Sequence, residues 1–295
     1  MKRILVATDF SARSDRAIRR ATLLARMYGS SITVVHVIDN DQPKRIVRVE
    51  RAAASVLLKE QARSLRAIDG VDCDHSIILG NAFEGIAKAA KEIDCDLLVI
   101  GPHRRQVLKD VFVGTTAERT IRASNWPILM ANGVPAGTYR HVLVAVDLSD
   151  CSADAVRAVT SLRLEKHAAI SVAHVFDAPG TGLMSRASMT EDQVQDYLAE
   201  VEERATGELG AFLGNLRFDP IRRVVKHNVT SVAHTISSVA REVSADLVVV
   251  GTHGRTGIAK LLLGSVAEEV LRIADYDVLA VPPNATGKDR VAVKP

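Results

Sequence analysis

Aromatic residues are only 4% of this 295-residue chain, with a single tryptophan. The core is therefore expected to be Val, Ile, Leu and Ala, and the stacking platforms of single-strand nucleic-acid binders are missing. Cysteine is equally scarce. Cys73, Cys95 and Cys151 form no CxxC pair and no zinc spacing, which argues against a disulfide framework and fits a reducing, cytoplasmic setting. No apolar run approaches the roughly 20 residues of a membrane helix. The apolar start at Ile4-Leu5-Val6-Ala7 is cut short by Asp9, too early for a secretion signal. No membrane partner is expected. Charge is nearly balanced at a net +3, and Arg19-Arg20, Arg104-Arg105 and Arg222-Arg223 are scattered. That is not the basic stripe of a nucleic-acid binder, so no nucleic acid is expected either. The nine histidines contain no HxxxH or HxH, so no metal site is read from them. GxxxxGK[ST], GxGxxG and GxSxG are also missing, which removes the P-loop, the Rossmann fingerprint and the nucleophile elbow.

What the chain does have is a repeat. Lys2–Asp39 aligns without a gap on Arg140–Asp177, with about fifteen of the 38 positions identical. Leu5-Val6-Ala7, Asp9 and Ser11 return as Leu143-Val144-Ala145, Asp147 and Ser149, and His36-Val37 returns as His174-Val175. The second halves also correspond: Asp96–Gly101 with Asp246–Gly251, and Gly114-Thr115 with Gly264-Ser265. With 47% hydrophobic and 25% charged residues, both copies have a globular composition. A duplication accounts for this. It places one domain at 1–133, a second at 139–283 and a polar, disordered tail at 284–295. The Gly- and Pro-containing stretch 133–138 is the linker.

Each copy alternates short Val/Ile-rich runs with helical patterns. In the second copy the runs are 142–146, 170–176, 221–225, 247–250 and 278–281, several apolar on both faces, as strands of a helix-covered parallel sheet read. Ser149, Thr190, and Thr230 or Ser231 are placed to cap the helices between them, and Ser11 does so in the first copy. Ala17, Ala21, Leu24 and Ala25 then face inward, and Gly29 stops that helix. The expected fold class is α/β, with two tandem doubly wound five-stranded parallel-sheet domains. Ligands of such sheets sit beyond the carboxyl ends of the strands, where strand order reverses. The last runs, 128–131 and 278–281, read as edge strands. Asp277 stands where the first copy has Pro127, a difference expected to alter that edge.

After the fourth strand the second copy reads Gly251-Thr-His253-Gly254-Arg-Thr-Gly257-Ile-Ala-Lys260-Leu-Leu-Leu-Gly264-Ser265. Glycines reach backbone angles closed to other residues and let the main chain approach a phosphate. A helix beginning at Gly264-Ser265 offers unpaired N–H groups and a positive dipole end. The Ser265 hydroxyl either donates to an anion or caps the helix. A plain glycine-rich turn would read similarly.

These residues resemble the universal stress protein family: Asp147 ending the first strand, His174-Val175 on the second, and GxxGx9G[ST] after the fourth. The resemblance covers essentially the whole chain, in tandem form. It implies a five-stranded α/β fold per copy, and last strands that pair so that one chain imitates a family dimer as an intramolecular pseudo-dimer. Further homodimerisation and unnamed protein partners stay open. In one subgroup it also implies an ATP site, with Mg²⁺ as companion. Carried over, Gly251, Gly254, Gly264 and Ser265 hold phosphates, with Val266 and Ala267 adding backbone contacts. Ala145, Val146, Asp147 and Val175 lie by adenine and ribose, and Val250 and His253 complete the ligand's surroundings. Asp147 is a ribose acceptor or, equally, a carboxylate that fixes its own loop.

The first copy departs from the motif. Asp9, Val37, Gly101, Gly114 and Thr115 persist, but Arg104 replaces the middle glycine and Pro102 lacks an N–H. The expectation is a degenerate site that does not take ATP in the family manner. Arg104 or Arg105 gripping another anion is the lesser alternative. His36 and His174 read as structural, Asp154 and Asp177 as solvated surface groups, and Cys73 and Cys95 as buried and inert. No catalytic base is visible, so the chain reads as an ATP-binding regulator rather than an enzyme, with slow hydrolysis left open. The rivals are a scaffold without nucleotide and, more remotely, a nucleotidyl transferase, whose SGGxDS and HxGH signatures are absent.

Overall fold

In the computed structural model, residues 1–102, 115–180, 189–254 and 263–285 are described. The first half runs β1 (Arg3–Ala7), α1 (Ala12–Tyr28), β2 (Ser31–Ile38), α2 (Lys44–Ala67), β3 (Cys73–Leu79), α3 (Ala82–Ile93), β4 (Leu97–Ile100), α4 (Thr116–Ala123) and β5 (Ile128–Met130). The second half repeats this as β6 (His141–Val146), α5 (Asp150–Ser161), β7 (Ala169–Phe176), α6 (Glu191–Leu216), β8 (Arg222–His227), α7 (Val232–Glu242), β9 (Leu247–Gly251), α8 (Ser265–Ile273) and β10 (Asp277–Val281). Each half is a parallel sheet, ordered β3-β2-β1-β4-β5 and β8-β7-β6-β9-β10. The two are the expected doubly wound α/β units.

Local chemistry sets the helix starts. Ser11, Ser149 and Ser231 accept from the backbone N–H three residues on, and Thr190 forms a full capping box with Gln193. Each such cap contributes about 1 kcal/mol. Gly29 leaves α1 in the left-handed region at φ 65° and returns its N–H to Ala25, a conformation that favours glycine. β8 runs on through Lys226 and His227, past the apolar run that marks it in sequence, while Ile221 lies outside it and exposed. As an outer strand, β8 tolerates polar residues that an inner strand would not.

The apolar strands feed two layers of core. One face of the sheet carries α1, α2, α5 and α6, and the other carries α3, α4, α7 and α8. β5 and β10 pair antiparallel, Leu129 opposite Leu279, so the halves fuse into one ten-stranded sheet. The two last strands are thus edges only of their own halves. In the whole molecule they are its centre, with β3 and β8 outermost.

Asp277 does more than alter that edge. It is fully buried at the start of β10, where its Oδ2 lies 2.6 Å from Arg20 Nε of α1. Tyr139 Oη donates to the same oxygen (2.6 Å), and Gly133 N–H donates to Oδ1 (2.8 Å). Arg20 stacks over the Tyr139 ring and donates to Gly137 O. One carboxylate therefore ties the linker to both halves.

Two sequence expectations need correction. Asp154 is buried, not solvated: it accepts from Asn284 N–H (2.8 Å) and pairs with Arg157. The tail does not begin as a disordered segment at 284 either, because Asn284 makes that bond and Ala285 is buried. The chain after β10 folds back over α5, an excursion that periodicity does not encode. The remainder of the expected tail lies outside the described residues.

Candidate functional site

The strand order of the second half reverses between β6 and β9, and a cleft of about 260 Å³ opens there, beyond the carboxyl ends of β6, β7 and β9. Strand β6 ends in Ala145 and Val146 and leads into Asp147, β7 contributes Val175, and β9 leads from Val250 to Gly251, His253 and Gly254. The start of α8 closes it with Gly264, Ser265, Val266 and Ala267. All twelve residues singled out in the second copy line this one cleft. Ser152, Ala173, His174, Asp177, Val232 and Ile236 complete it. Val232 and Ile236 escaped sequence reading because a helix's inward stripe looks the same whether it meets core or cleft.

Asp147 fixes its own loop. Its Oδ1 accepts from Ser149 N–H and from the hydroxyls of Ser149 and Ser152, and its N–H donates to Ser152 Oγ at 2.9 Å. His174 donates its Nδ1–H to Val146 O (2.9 Å), bracing β7 against β6. His36 does the same to Thr8 O (2.8 Å) in the first half. Both histidines have the structural role expected of them.

The glycines matter for closeness rather than for backbone angle. A positive φ occurs at Gly29, Gly70 and Gly80, not at Gly251, Gly254 or Gly264, which corrects the sequence expectation. A Cβ on Gly251 would lie 2.9 Å from Cys151 Sγ, and one on Gly254 would lie 3.0 Å from Asp147 Oδ2. Gly264 donates its N–H to Thr252 O at 2.7 Å, and a Cβ there would stand 3.3 Å from that oxygen. Burial pushes the Cys151 thiol above its usual pKa, and under Gly251 it donates to Val281 O at 3.7 Å.

Ser265 is not a cap. The N-cap of α8 is Gly264, without a side-chain bond, and Ser265 is exposed at the first helical position. The first-turn N–H groups of a helix have no partner within it, and here the residues that carry them, Ser265, Val266 and Ala267, line the cleft beside a Gly264 that has no side chain to cap them. In the first half, Thr115 caps α4 and accepts from Glu118 N–H at 3.1 Å.

The first half has its own cleft, of about 310 Å³, lined by Asp9, Val37, Gly101, Pro102 and Thr115 among others. Arg104 and Gly114, like His103 and Arg105, lie outside the described residues. Arg13 lines this cleft at the position Cys151 holds in the second half. Thr8 replaces Val146 and bonds Ser14 (3.1 Å), so Asp9 Oδ1 is held chiefly by Ser11. Burial acts to raise the Asp9 pKa, but the Ser11 bonds, a bond from Ser14 and the Arg13 charge outweigh it and hold the carboxyl below its ordinary value.

Among the described residues, no group of three or more His, Cys, Asp or Glu gathers to hold a metal. No described helix is long and apolar enough to cross a membrane.

Comparison with known proteins identifies the family and supports the fold. The profile of the universal stress protein family matches residues 1–132 and again 138–282. A universal stress protein of Mycolicibacterium smegmatis is 26% identical over 303 residues, covering 95% of this chain and 97% of that protein. Universal stress protein A homolog 1 of Coxiella burnetii is 31% identical over 144 residues, which is 48% of this chain and 96% of the relative. The crystal structure of a universal stress protein from Archaeoglobus fulgidus superposes with a TM-score of 0.69 at 18% identity, covering 95% of this chain and 98% of that one. At that identity the likeness speaks for the fold.

Proposed function

The chain belongs to the universal stress protein family, and on that premise we propose that it is a stress-response regulator whose second half holds ATP. The observation that carries this reading is the start of α8. Among the described residues no side chain caps it, and its first turn lines a cleft that also contains Asp147, Val175 and the three closely packed glycines. Unpaired donors at the positive end of a helix suit a phosphate. Gly254 leaves the backbone bare beside Asp147. The apolar floor of Ala145, Ala173, Val175, Val232 and Ile236 suits a purine face, and Asp147 is placed to accept from a ribose hydroxyl. Mg²⁺ would enter on the phosphates, as an ion that keeps most of its water, rather than in a protein cage.

The first half is proposed not to take ATP in this manner. Thr115 already caps its helix, Pro102 offers no N–H, and Arg13 adds a cation at the cleft wall. These features favour a different small ligand there, or a purely structural role. With no general base assigned, fast turnover is not part of the proposal.

Calorimetric titration of nucleotide-free protein with ATP and Mg²⁺, beside the Gly254→Arg variant, tests both halves of the reading. One site per chain that disappears in the variant is the expected result. Two sites would mean that the first cleft works as well. No heat in either protein would defeat the ATP reading and leave a scaffold that uses no nucleotide.

A further inference from the structure

The two clefts share an apolar end and differ at the other. In the first half Val37, Ile86 and Ile100 stand where Val175, Ile236 and Val250 stand in the second. The first cleft is also the larger, at about 310 Å³ against 260 Å³. Room for an apolar ring system is therefore kept in both. At the helix start the halves diverge. Thr115 Oγ1 accepts from Glu118 N–H at 3.1 Å, so one of the free donors of α4 is already taken. Pro102 lines the same cleft with no N–H to offer. In α8 the cap is Gly264, without a side-chain bond. The phosphate end is thus weakened in the half that keeps the apolar end.

The polar groups of the first cleft narrow the ligand further. Thr8 Oγ1 donates to Ser14 Oγ (3.1 Å), Ser14 Oγ donates to Ser11 O (2.9 Å), and Thr120 Oγ1 donates to Thr116 O (2.7 Å). Those hydroxyl protons are committed within the protein. Among the described lining residues the charged side chains are Asp9 and Arg13. Arg13 Nη2 lies 3.7 Å from Asp9 Oδ2, and the two side chains are 41% and 62% exposed. An exposed pair of this kind contributes little by itself, so a ligand can bridge it at small cost. An ionised carboxylate only accepts hydrogen bonds, and a guanidinium only donates them. A phosphate would satisfy Arg13 but oppose Asp9, and an ammonium group would do the reverse. Two neighbouring hydroxyls satisfy both, because each hydroxyl donates and accepts.

We infer that the first-half cleft takes a purine nucleoside, with the base among Val37, Ile86 and Ile100 and the two ribose hydroxyls bridging Asp9 and Arg13. No phosphate is part of this ligand. The choice of a purine rests on the reading of the second half, whose apolar floor the first half repeats. The capped helix start and the Asp9–Arg13 pair belong to the first half alone. One chain then holds a nucleotide in one cleft and a nucleoside in the other.

Calorimetric titration with adenosine of the full chain, saturated with ATP and Mg²⁺, tests this. One equivalent of adenosine is expected to bind. 2′-Deoxyadenosine lacks one of the hydroxyls and should bind at least about tenfold more weakly, as a hydrogen bond to a charged group is lost. AMP should bind no more tightly than adenosine. Arg13→Ala, at an exposed side chain, should weaken adenosine by a similar factor. Ala82→Trp, at the start of α3 inside the first cleft, should abolish the adenosine site and leave ATP at one site. Val232→Trp, at the equivalent place in α7, fills the second cleft instead. Circular dichroism confirms that each variant is folded. Adenosine taken up by Val232→Trp but not by Ala82→Trp upholds the inference even where ATP fails to bind. No uptake of adenosine by the unaltered chain overturns it, and if ATP still fills one site the reading of the second half stands. A second equivalent of ATP, or AMP bound tenfold more tightly than adenosine, would overturn it by returning a phosphate grip to the first cleft. Adenosine binding indifferent to both Ala82→Trp and Arg13→Ala would overturn it as well, by putting the nucleoside elsewhere.

Discussion

At Gly264 the proposed binding can be separated from stability at a single residue. It caps α8 with an ordinary φ of −63° and without a side chain. An aspartate there can adopt the same backbone and supply the missing cap, at the cost of moving Thr252 O by a few tenths of an ångström. Asp at an N-cap stabilises a helix by about 1 kcal/mol, but its carboxylate would occupy the space proposed for a phosphate. The expected outcome for Gly264→Asp is an unchanged or slightly raised Tm with ATP binding lost, read by thermal denaturation and calorimetry together. Retained affinity would show that the helix start takes no part in binding. At Ser152 the expectation is milder. Its hydroxyl serves Asp147 twice, as donor to Oδ1 and as acceptor from the N–H. Ser152→Ala should cost about 1–2 kcal/mol by denaturant titration and loosen the loop that presents Asp147.

Between elements, the decisive group is the Asp277 carboxylate, where α1, the linker and β10 meet. Burial holds its pKa above the ordinary value despite the neighbouring Arg20 and the bonds from Tyr139 and Gly133. The desolvation of this charge thus exceeds what its partners return. Removing only the cation should cost about 3–5 kcal/mol, whereas exchanging the whole pair for apolar residues is often neutral or stabilising. Arg20→Met should therefore be markedly destabilised, and Arg20→Met with Asp277→Leu should recover most of the loss. The sign with pH follows from linkage. In Arg20→Met the lowering influence of Arg20 is gone, so the folded-state pKa rises further above that of the unfolded chain. The group's contribution is complete below the unfolded value and is lost as pH rises through the folded one. The Arg20→Met deficit should therefore be largest at neutral pH and shrink on acidification. Urea titrations across that range check it, and a deficit that grew toward acid would contradict the account.

For the whole molecule, the junction of β5 with β10 makes one body of two halves. The residues of β5 are all buried, and those of β10 as well. A fragment ending near residue 133 would expose β5 as an apolar edge, which tends to find another strand. The expected behaviour of such a fragment is self-association, as a dimer that copies the internal pairing or as an aggregate, seen by light scattering. A well-behaved monomer would show that β10 is dispensable.

The sequence by itself determined whatever depends on near neighbours along the chain. The repeat, the serine and threonine caps, the left-handed stop at Gly29 and the strand-to-helix glycine spacing are short-range regularities. Periodicity reports them because each follows from the geometry of a few consecutive residues. The cleft of the second half was legible for a related reason: its lining comes from the ends of strands, and a doubly wound sheet brings those ends together. Only the tertiary structure decided the rest. Asp277 stands 144 residues from Gly133 and 138 from Tyr139, and nothing local marks them as partners. Asp154 reads as a surface carboxylate until the segment after β10 folds over it. Thr115 caps its helix while the corresponding Ser265 does not, although the two positions align. Charge on α2 and α6 is visible in the sequence, but their sharing of one face is not. Partners like these are fixed by which elements the sheet sets side by side, and that is a property of packing across the whole chain rather than of any stretch of it.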